Sequence, residues 1–282
     1  MKSDIRSMLW GYFVIPLAVL AAGIPLVLWG EGAFRRAGKG QRIAASFRVR
    51  EPAARLRAVM AGARDVRGDP RLARDPVVAR AFLDLLREEL NRKENPPRRN
   101  PVAETAALAL SRMGVREAAG IILGALADAA SPTRKAFIEI LADIGEKSDA
   151  MKLLPYLADT SPDVRKMTAY VIGMLGEPAA LLPLEGLLAD PVEDVRWNAA
   201  LALARNRRGS GLAVIATMLD RRHLNTVPGM TPAGKAMILT AALRAVGMLR
   251  ESSFADVVRD LSRGDPDETV RKTAGEVLRQ LE

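Results

Sequence analysis

Three glycines, Gly114, Gly145 and Gly176, stand 31 residues apart, and the next step of that length lands on Arg207. Each closes a similar phrase: Ala-Leu-Ser-Arg-Met-Gly114, Ile-Leu-Ala-Asp-Ile-Gly145 and Val-Ile-Gly-Met-Leu-Gly176. A period between about 20 and 50 residues marks supersecondary units that cannot bury their apolar faces alone. Such units reach stability by packing on their neighbours. The spacing therefore selects an array of similar units over one closed core, and arrays of this kind are usually binding surfaces.

A second pattern runs through the same region. A capping residue is followed by proline at Asp75-Pro76, Asn100-Pro101, Ser131-Pro132, Ser161-Pro162, Asp190-Pro191, Thr231-Pro232 and Asp265-Pro266. Asp, Asn, Ser or Thr at an N-cap accepts a hydrogen bond from an orphan amide of the first helical turn. Proline at the first helical position loses nothing, because its missing N–H has no partner there anyway. Each pair is expected to start a helix. The spacings are 25, 31, 30, 29, 41 and 34, one helix pair per unit. Helical apolar stripes follow, such as Val164, Thr168, Val171 and Leu175. Shorter partner helices are predicted at 115–128, 148–159, 179–189, 211–220 and 252–263. No segment alternates like a strand. In the less regular stretch 31–100, helices are predicted at about 53–64 and 76–93, and residues 94–101 read as a rigid proline-rich connector.

Composition narrows the chemistry. Aromatic residues make up 4%, which suits helix-on-helix packing. Cysteine is absent and His223 is the one histidine, so thiolate sites, multi-histidine metal sites and Cys–His catalysis are excluded. The net charge of +9 is uneven. Residues 31–100 hold 18 Lys/Arg against 9 Asp/Glu, whereas residues 101–282 hold 22 against 23. The basic character belongs to the stretch before the repeats.

Between Arg6 and Glu31 there is no charged residue, and Met8 to Trp29 is almost wholly apolar. As a helix these 22 residues rise roughly 33 Å, the thickness of a hydrocarbon core. Trp10, Tyr12 and Trp29 fall near its ends, where such rings favour the interface. Pro16 and Pro25 are tolerated in a membrane span. A cleaved signal peptide is the alternative, but the apolar run is long for one. The expectation is a retained single-pass anchor. Six cations follow it: Arg35, Arg36, Lys39, Arg42, Arg48 and Arg50. They place the downstream side in the cytoplasm and are expected to contact anionic lipid or a partner. Phe34 and Phe47 could anchor an interfacial helix there, a reading weakened by Gly38 and Gly40.

The 41-residue spacing marks an insertion. Residues 221–231 are expected to form a long loop, and insertions of this kind map to one face of a repeat array. Arg221, Arg222, His223 and Met230 are its candidate partner-binding residues, against the plainer reading of a solvated loop.

The phrases after the cap–proline pairs are specific. Ser161-Pro-Asp-Val-Arg165 continues to Ala169 and Leu175-Gly176, Asp190-Pro-Val-Glu-Asp-Val-Arg196 to Ala199-Ala200 and Leu203, and Asp265-Pro-Asp-Glu-Thr-Val-Arg271 to Ala274 and Leu278. This pattern resembles the HEAT-repeat family, in particular the short HEAT-like repeats of the phycobilisome-lyase type. The resemblance covers 101–282 and fades over 51–100. It departs at Thr269, where Asp is usual, and at Arg207 and Arg250, which replace the closing glycine. It implies an α-solenoid used for scaffolding or partner binding, with the repeated Arg165, Arg196 and Arg271 paired to acids of adjoining units in a ladder. Asp163 and Asp194 stand at the helix starts beside them, where they also suit the helix dipole.

Other chemistry finds little support. Gly229 to Lys235 has the spacing of a phosphate-binding loop, but Ala236 stands where Ser or Thr should hold magnesium, and no strand precedes it. No carboxylate pair stands out as acid and base, and no Ser–His–Asp motif is present. Nucleic-acid binding needs a basic track, and the repeats are slightly acidic. The expectation is an all-α chain with no cofactor, no metal and no small-molecule substrate: a transmembrane anchor at 1–30, a basic helical region at 31–100 and a HEAT-like solenoid at 101–282. Its expected function is a membrane-anchored, non-enzymatic scaffold that binds other proteins, as an accessory or assembly subunit of a membrane complex. The alternatives are a HEAT-like lyase or chaperone acting on a cofactor-bearing protein and, more remotely, a nucleic-acid binder.

Overall fold

The computed structural model describes residues 38–92 and 98–282. They divide into two compact units, the first ending at Leu85 and the second running from Leu86 to Glu282. The division falls inside a helix and not at the proline-rich connector, part of which, residues 93–97, lies outside the described residues.

The first unit holds α1 (Lys39–Ser46), α2 (Pro52–Gly68) and the first part of α3 (Pro76–Asn91). Glu51 caps α2 by accepting the Ala53 amide at 2.9 Å, with Pro52 at the first helical position. Phe47 is buried, its ring 4.8 Å from that of Phe82 in a tilted pair. It is a core residue, which corrects the expectation of an interfacial anchor.

The second unit is a repeat of helix pairs. The long members are α4 (Pro101–Arg112), α6 (Ser131–Ile144), α8 (Pro162–Leu175), α10 (Glu193–Arg205), α13 (Pro232–Leu249) and α15 (Glu268–Leu281), and each packs on the next. The short members are α5 (Glu117–Ala125), α7 (Ala150–Leu153), α9 (Pro178–Leu181), α11 (Leu212–Leu219) and α14 (Ala255–Gly264). Two short members tighten into 3-10 turns, at Leu154–Ala158 and Leu182–Ala189. Pro155 and Pro183 lie within them, and a proline there removes an N–H that the α-ladder needs.

The long helices approach closely where small residues meet. A Cβ on Gly173 of α8 would lie 2.5 Å from the Ala202 Cβ and 2.8 Å from its Cα on α10. The interior is aliphatic, with Leu110, Leu141, Ile172, Leu203 and Leu243 all fully buried.

The periodic glycines close the long helices, though not identically. Gly114 and Gly176 take left-handed φ of 70° and 67°, while Gly145 is extended at −72°. Arg207 and Arg250 hold the left-handed position at 58° and 52°. The Arg208 and Glu251 amides then donate back to Leu203 and Val246 at 2.9 and 3.3 Å. The Gly→Arg departures therefore preserve the turn.

The cap–proline pairs also divide. Asn100 and Thr231 cap their helices through their side chains, accepting from Ala103 at 3.0 Å and Gly234 at 3.1 Å. Ser161 is an N-cap without a side-chain bond, and Ala130 precedes α6 in place of Ser131. Asp190 and Asp265 stand further out, because α10 and α15 begin only at Glu193 and Glu268. Each closes a two-residue turn, accepting from the Val192 and Asp267 amides at 2.9 Å.

Among the described residues, no helix is long and apolar enough to cross a membrane. The longest, α13, carries Lys235 and Arg244, and its apolar side is buried in the repeat core. This finding overturns the expected single-pass membrane location. The apolar run 8–29 on which it rested, with Trp10, Tyr12 and Trp29, lies outside the described residues, as do Phe34, Arg35 and Arg36.

Candidate interaction surface

Arginines clasp the turns of the second unit. Arg165 donates from Nε and Nη2 to the two carboxylate oxygens of Asp190, at 2.7 and 2.9 Å. Its Nη1 donates to the carbonyl of Asp159 at 2.9 Å, in the turn that begins its own helix. Arg134 repeats the arrangement one unit earlier. It pairs with the Asp159 carboxylate and donates to the Leu126 and Ala129 carbonyls at 2.9 and 2.8 Å, its guanidinium lying 5.8 Å from the Tyr156 ring centre. Burial raises the Tyr156 phenol above its usual range, against the Arg134 charge, which lowers it. One guanidinium thus fastens its own turn to the next turn's aspartate, 25 residues on.

Both ends of these pairs are shielded, with side-chain exposures of 13% for Arg165 and 5% for Asp190. The hydrogen bond from Arg165 holds the Asp190 carboxyl below the ordinary carboxylate range, against a burial effect that raises it. The same bond raises the Arg165 guanidinium. Asp163 and Asp194 take no part. They stand exposed on first turns, and both meet Lys166, at 3.4 and 3.3 Å. The carboxylates that join the arginines are Asp159, Asp190 and Asp265, two of which the sequence pattern assigns to helix capping. For Asp159 and Asp190 the identifying signal is the 25-residue Arg–Asp spacing of 134–159 and 165–190, whereas Asp265 lies 44 residues from its arginine.

The insertion breaks this order. Arg196 donates to the Asp190 carbonyl at 2.8 Å, as its register demands, but among the described residues its ion pair is with Glu193 of its own helix, at 3.4 Å, and not with a following turn. Arg221 takes over, forming a two-point pair with Asp265 at 2.8 and 2.6 Å. Arg271 of the last long helix donates to the Asp265 carbonyl at 2.7 Å.

Residues 221–231 are not the expected loop. Arg221–Thr226 form a short helix, α12, capped by Asp220. Leu224 is fully buried in the core, and Val227 and Met230 pack against that core. The His223 Nε2 lies 2.6 Å from Glu193 Oε1, tying α12 to α10. Of the four candidate residues, Arg222 alone is exposed. The Gly229–Lys235 segment passes from a turn into α13, with Lys235 donating to Asn225 at 2.6 Å.

Of the expected basic contacts, Lys39 pairs with Asp65 at 3.2 Å, and Arg42, Arg48 and Arg50 are exposed. Their expected lipid role depended on the membrane location and falls with it. The exposed apolar residues form another group. Leu108 and Tyr170 occupy matching places two periods apart on α4 and α8, and Met248 lies exposed on α13. Leu182 and Met237 are the most exposed, at 61% and 70%. Sequence patterning missed these because each sits within an apolar helical phrase whose other members are buried.

The family model for HEAT repeats matches residues 150–227. No curated protein matches the chain. Among solved structures, the complex of CpcE and CpcF of phycocyanin lyase from Nostoc sp. PCC7120 is similar at 15% identity and a TM-score of 0.53, over 87% of this chain and 96% of that one. YibA of E. coli is similar at 15% identity and a TM-score of 0.50, over 90% of this chain and 96% of that one. Likeness at this identity shows the fold: the chain is an all-α helical-repeat protein, with HEAT repeats matched over residues 150–227.

Proposed function

We propose that the chain is a protein-binding scaffold, an accessory or assembly factor whose repeat unit presents an extended surface to other proteins. One observation carries this reading. The shielded ion pairs Arg134–Asp159, Arg165–Asp190 and Arg221–Asp265 are all engaged in fastening turns, while large apolar side chains such as Leu108, Tyr170, Leu182 and Met237 stay exposed on the same unit. Buried charge serves the stack, and the outward surface has the mixed apolar character of an interaction site.

The test is capture of partners by the full-length chain and by a Tyr170→Ala, Leu182→Ser variant, with bound proteins identified by mass spectrometry. Partners held by the native chain and lost by the variant are the expected result. A native chain that recovers only itself refutes the scaffold reading.

The similarity to a phycocyanin lyase complex supports a second reading, a lyase or chaperone acting on a cofactor-bearing protein. A purified chain that retains a coloured group, seen in its absorption spectrum, would favour it. A colourless chain that releases no chromophore on denaturation counts against it.

A further inference from the structure

Five arginines gather where two successive long helices end. Arg205 lies exposed on the last turn of α10, with Arg207 and Arg208 just beyond it. Arg207 Nη1 donates to the Met248 carbonyl at 3.4 Å, so this turn adjoins the end of α13. There Arg250 closes the helix, and Arg244 shares the exposed face of Met248 one turn earlier. Resting on the scaffold reading, we propose that this edge docks an acidic segment of a partner protein.

None of the five forms an ion pair among the described residues. The carboxylates on the neighbouring turns face elsewhere, Glu177 accepting the Ala179 amide and Glu251 the Ser253 amide. The contrast lies within the same edge, where Arg116 meets Glu146 of the following turn at 3.4 Å. The charge also reverses along the array. At the places matching Arg205 and Arg208, the second period has Asp143 and Glu146, and the third has Met174 and Glu177. A helix C-terminus favours a cation, yet α6 and α8 end without that choice, so the dipole does not account for the cluster.

The backbone supplies an independent observation. Arg207 and Arg250 hold left-handed φ of 58° and 52°, in the places where Gly114 and Gly176 sit at 70° and 67°. A side chain in that region is strained, and strain that persists at an exposed position marks a role beyond folding. Two guanidinium groups are held there in place of two unstrained glycines.

The chemistry of the guest follows. Arginine offers a planar fork that matches a carboxylate at two points, as Arg165 shows on Asp190. A nucleic-acid strand needs a continuous basic track. Without these five arginines, residues 101–282 hold 17 basic against 23 acidic side chains, which repel a long polyanion. A short run of Asp and Glu, seated beside exposed Met248, fits the edge.

The experiment uses the full-length chain and two labelled probes of equal charge, an alternating Asp–Glu peptide carrying one central leucine and a single strand of thymidylate. Fluorescence polarisation at about 0.15 M salt measures both. The peptide binds at least tenfold more tightly than the strand, and Arg207→Gly with Arg250→Gly weakens it at least fivefold while the melting temperature rises. A second variant, Arg205→Glu with Arg244→Glu, keeps the turns intact and abolishes peptide binding. A strand that binds as tightly as the peptide overturns the proposal, as do variants that bind the peptide as the native chain does. Partner capture separates the two readings. Should both variants retain every partner of the native chain, the acidic-segment edge is refuted and the scaffold stands. A native chain that captures nothing refutes the scaffold, and the peptide titration still decides the edge.

Discussion

Arg165 joins two turns with one guanidinium, and its carboxylate partner carries a pH signature. Because Arg165 keeps Asp190 ionised below the ordinary range, the pair contributes its full stability above about pH 4. That contribution is lost as pH falls through the lowered value. Asp190→Asn leaves Arg165 shielded without its counter-charge and costs about 3 kcal/mol at pH 7. Chemical denaturation from pH 7 down to 2.5 shows the native and variant curves converging below pH 4; a constant gap across that range contradicts the assignment. At Arg207 the change runs the other way. Relief of left-handed strain, about 1–2 kcal/mol, exceeds the unfolded-state entropy of glycine, about 0.5–1 kcal/mol. Arg207→Gly therefore stabilises the chain by about 0.5–1 kcal/mol in the same denaturation experiment. The closing positions were legible in the sequence through their period. Two of the carboxylate partners were not, because Asp before Pro reads equally well as a helix cap, and it is the late starts of α10 and α15 that leave Asp190 and Asp265 facing the previous turn.

At the scale of elements, helix spacing is set by the smallest residues. A methyl on Gly173 has nowhere to go against the Ala202 backbone, so Gly173→Ala forces α8 and α10 apart and costs about 1–3 kcal/mol, measurable by thermal unfolding. The insertion behaves as structure and not as decoration. Leu224 is buried and Arg221 holds an Asp265 whose side chain is fully shielded. Deleting 222–230 should lower the melting temperature by several degrees and speed hydrogen exchange in α13 and α15; a deletion with unchanged exchange there shows that α12 is dispensable. This role was not legible in the sequence. A six-residue helix is too short to display a period, and its contact with Asp265 spans 44 residues.

At the scale of the molecule, the second unit reads as its period foretold, long helices stacked on long helices with short ones beside them. Aliphatic stripes at helical spacing and cap–proline starts carried that information. Among the described residues the long helices bury their apolar sides in one another. Helix α15 packs on α13 and shares a buried core with its Leu243 and Val246. Removing 268–282 lays that face bare, so the shortened chain melts at lower temperature and self-associates in sedimentation velocity, whereas the full-length chain shows neither change. The interrupted clasp at Arg196 has a mechanical consequence. Under tension applied at the ends, turns fastened by a two-point pair resist together, but Arg196 reaches no carboxylate of a following turn among the described residues. There a Glu193–His223 contact and apolar packing stand in for the clasp, which makes a joint between α10 and the segment that begins with α12. In an optical trap it extends in two steps, and the first rupture falls at that joint.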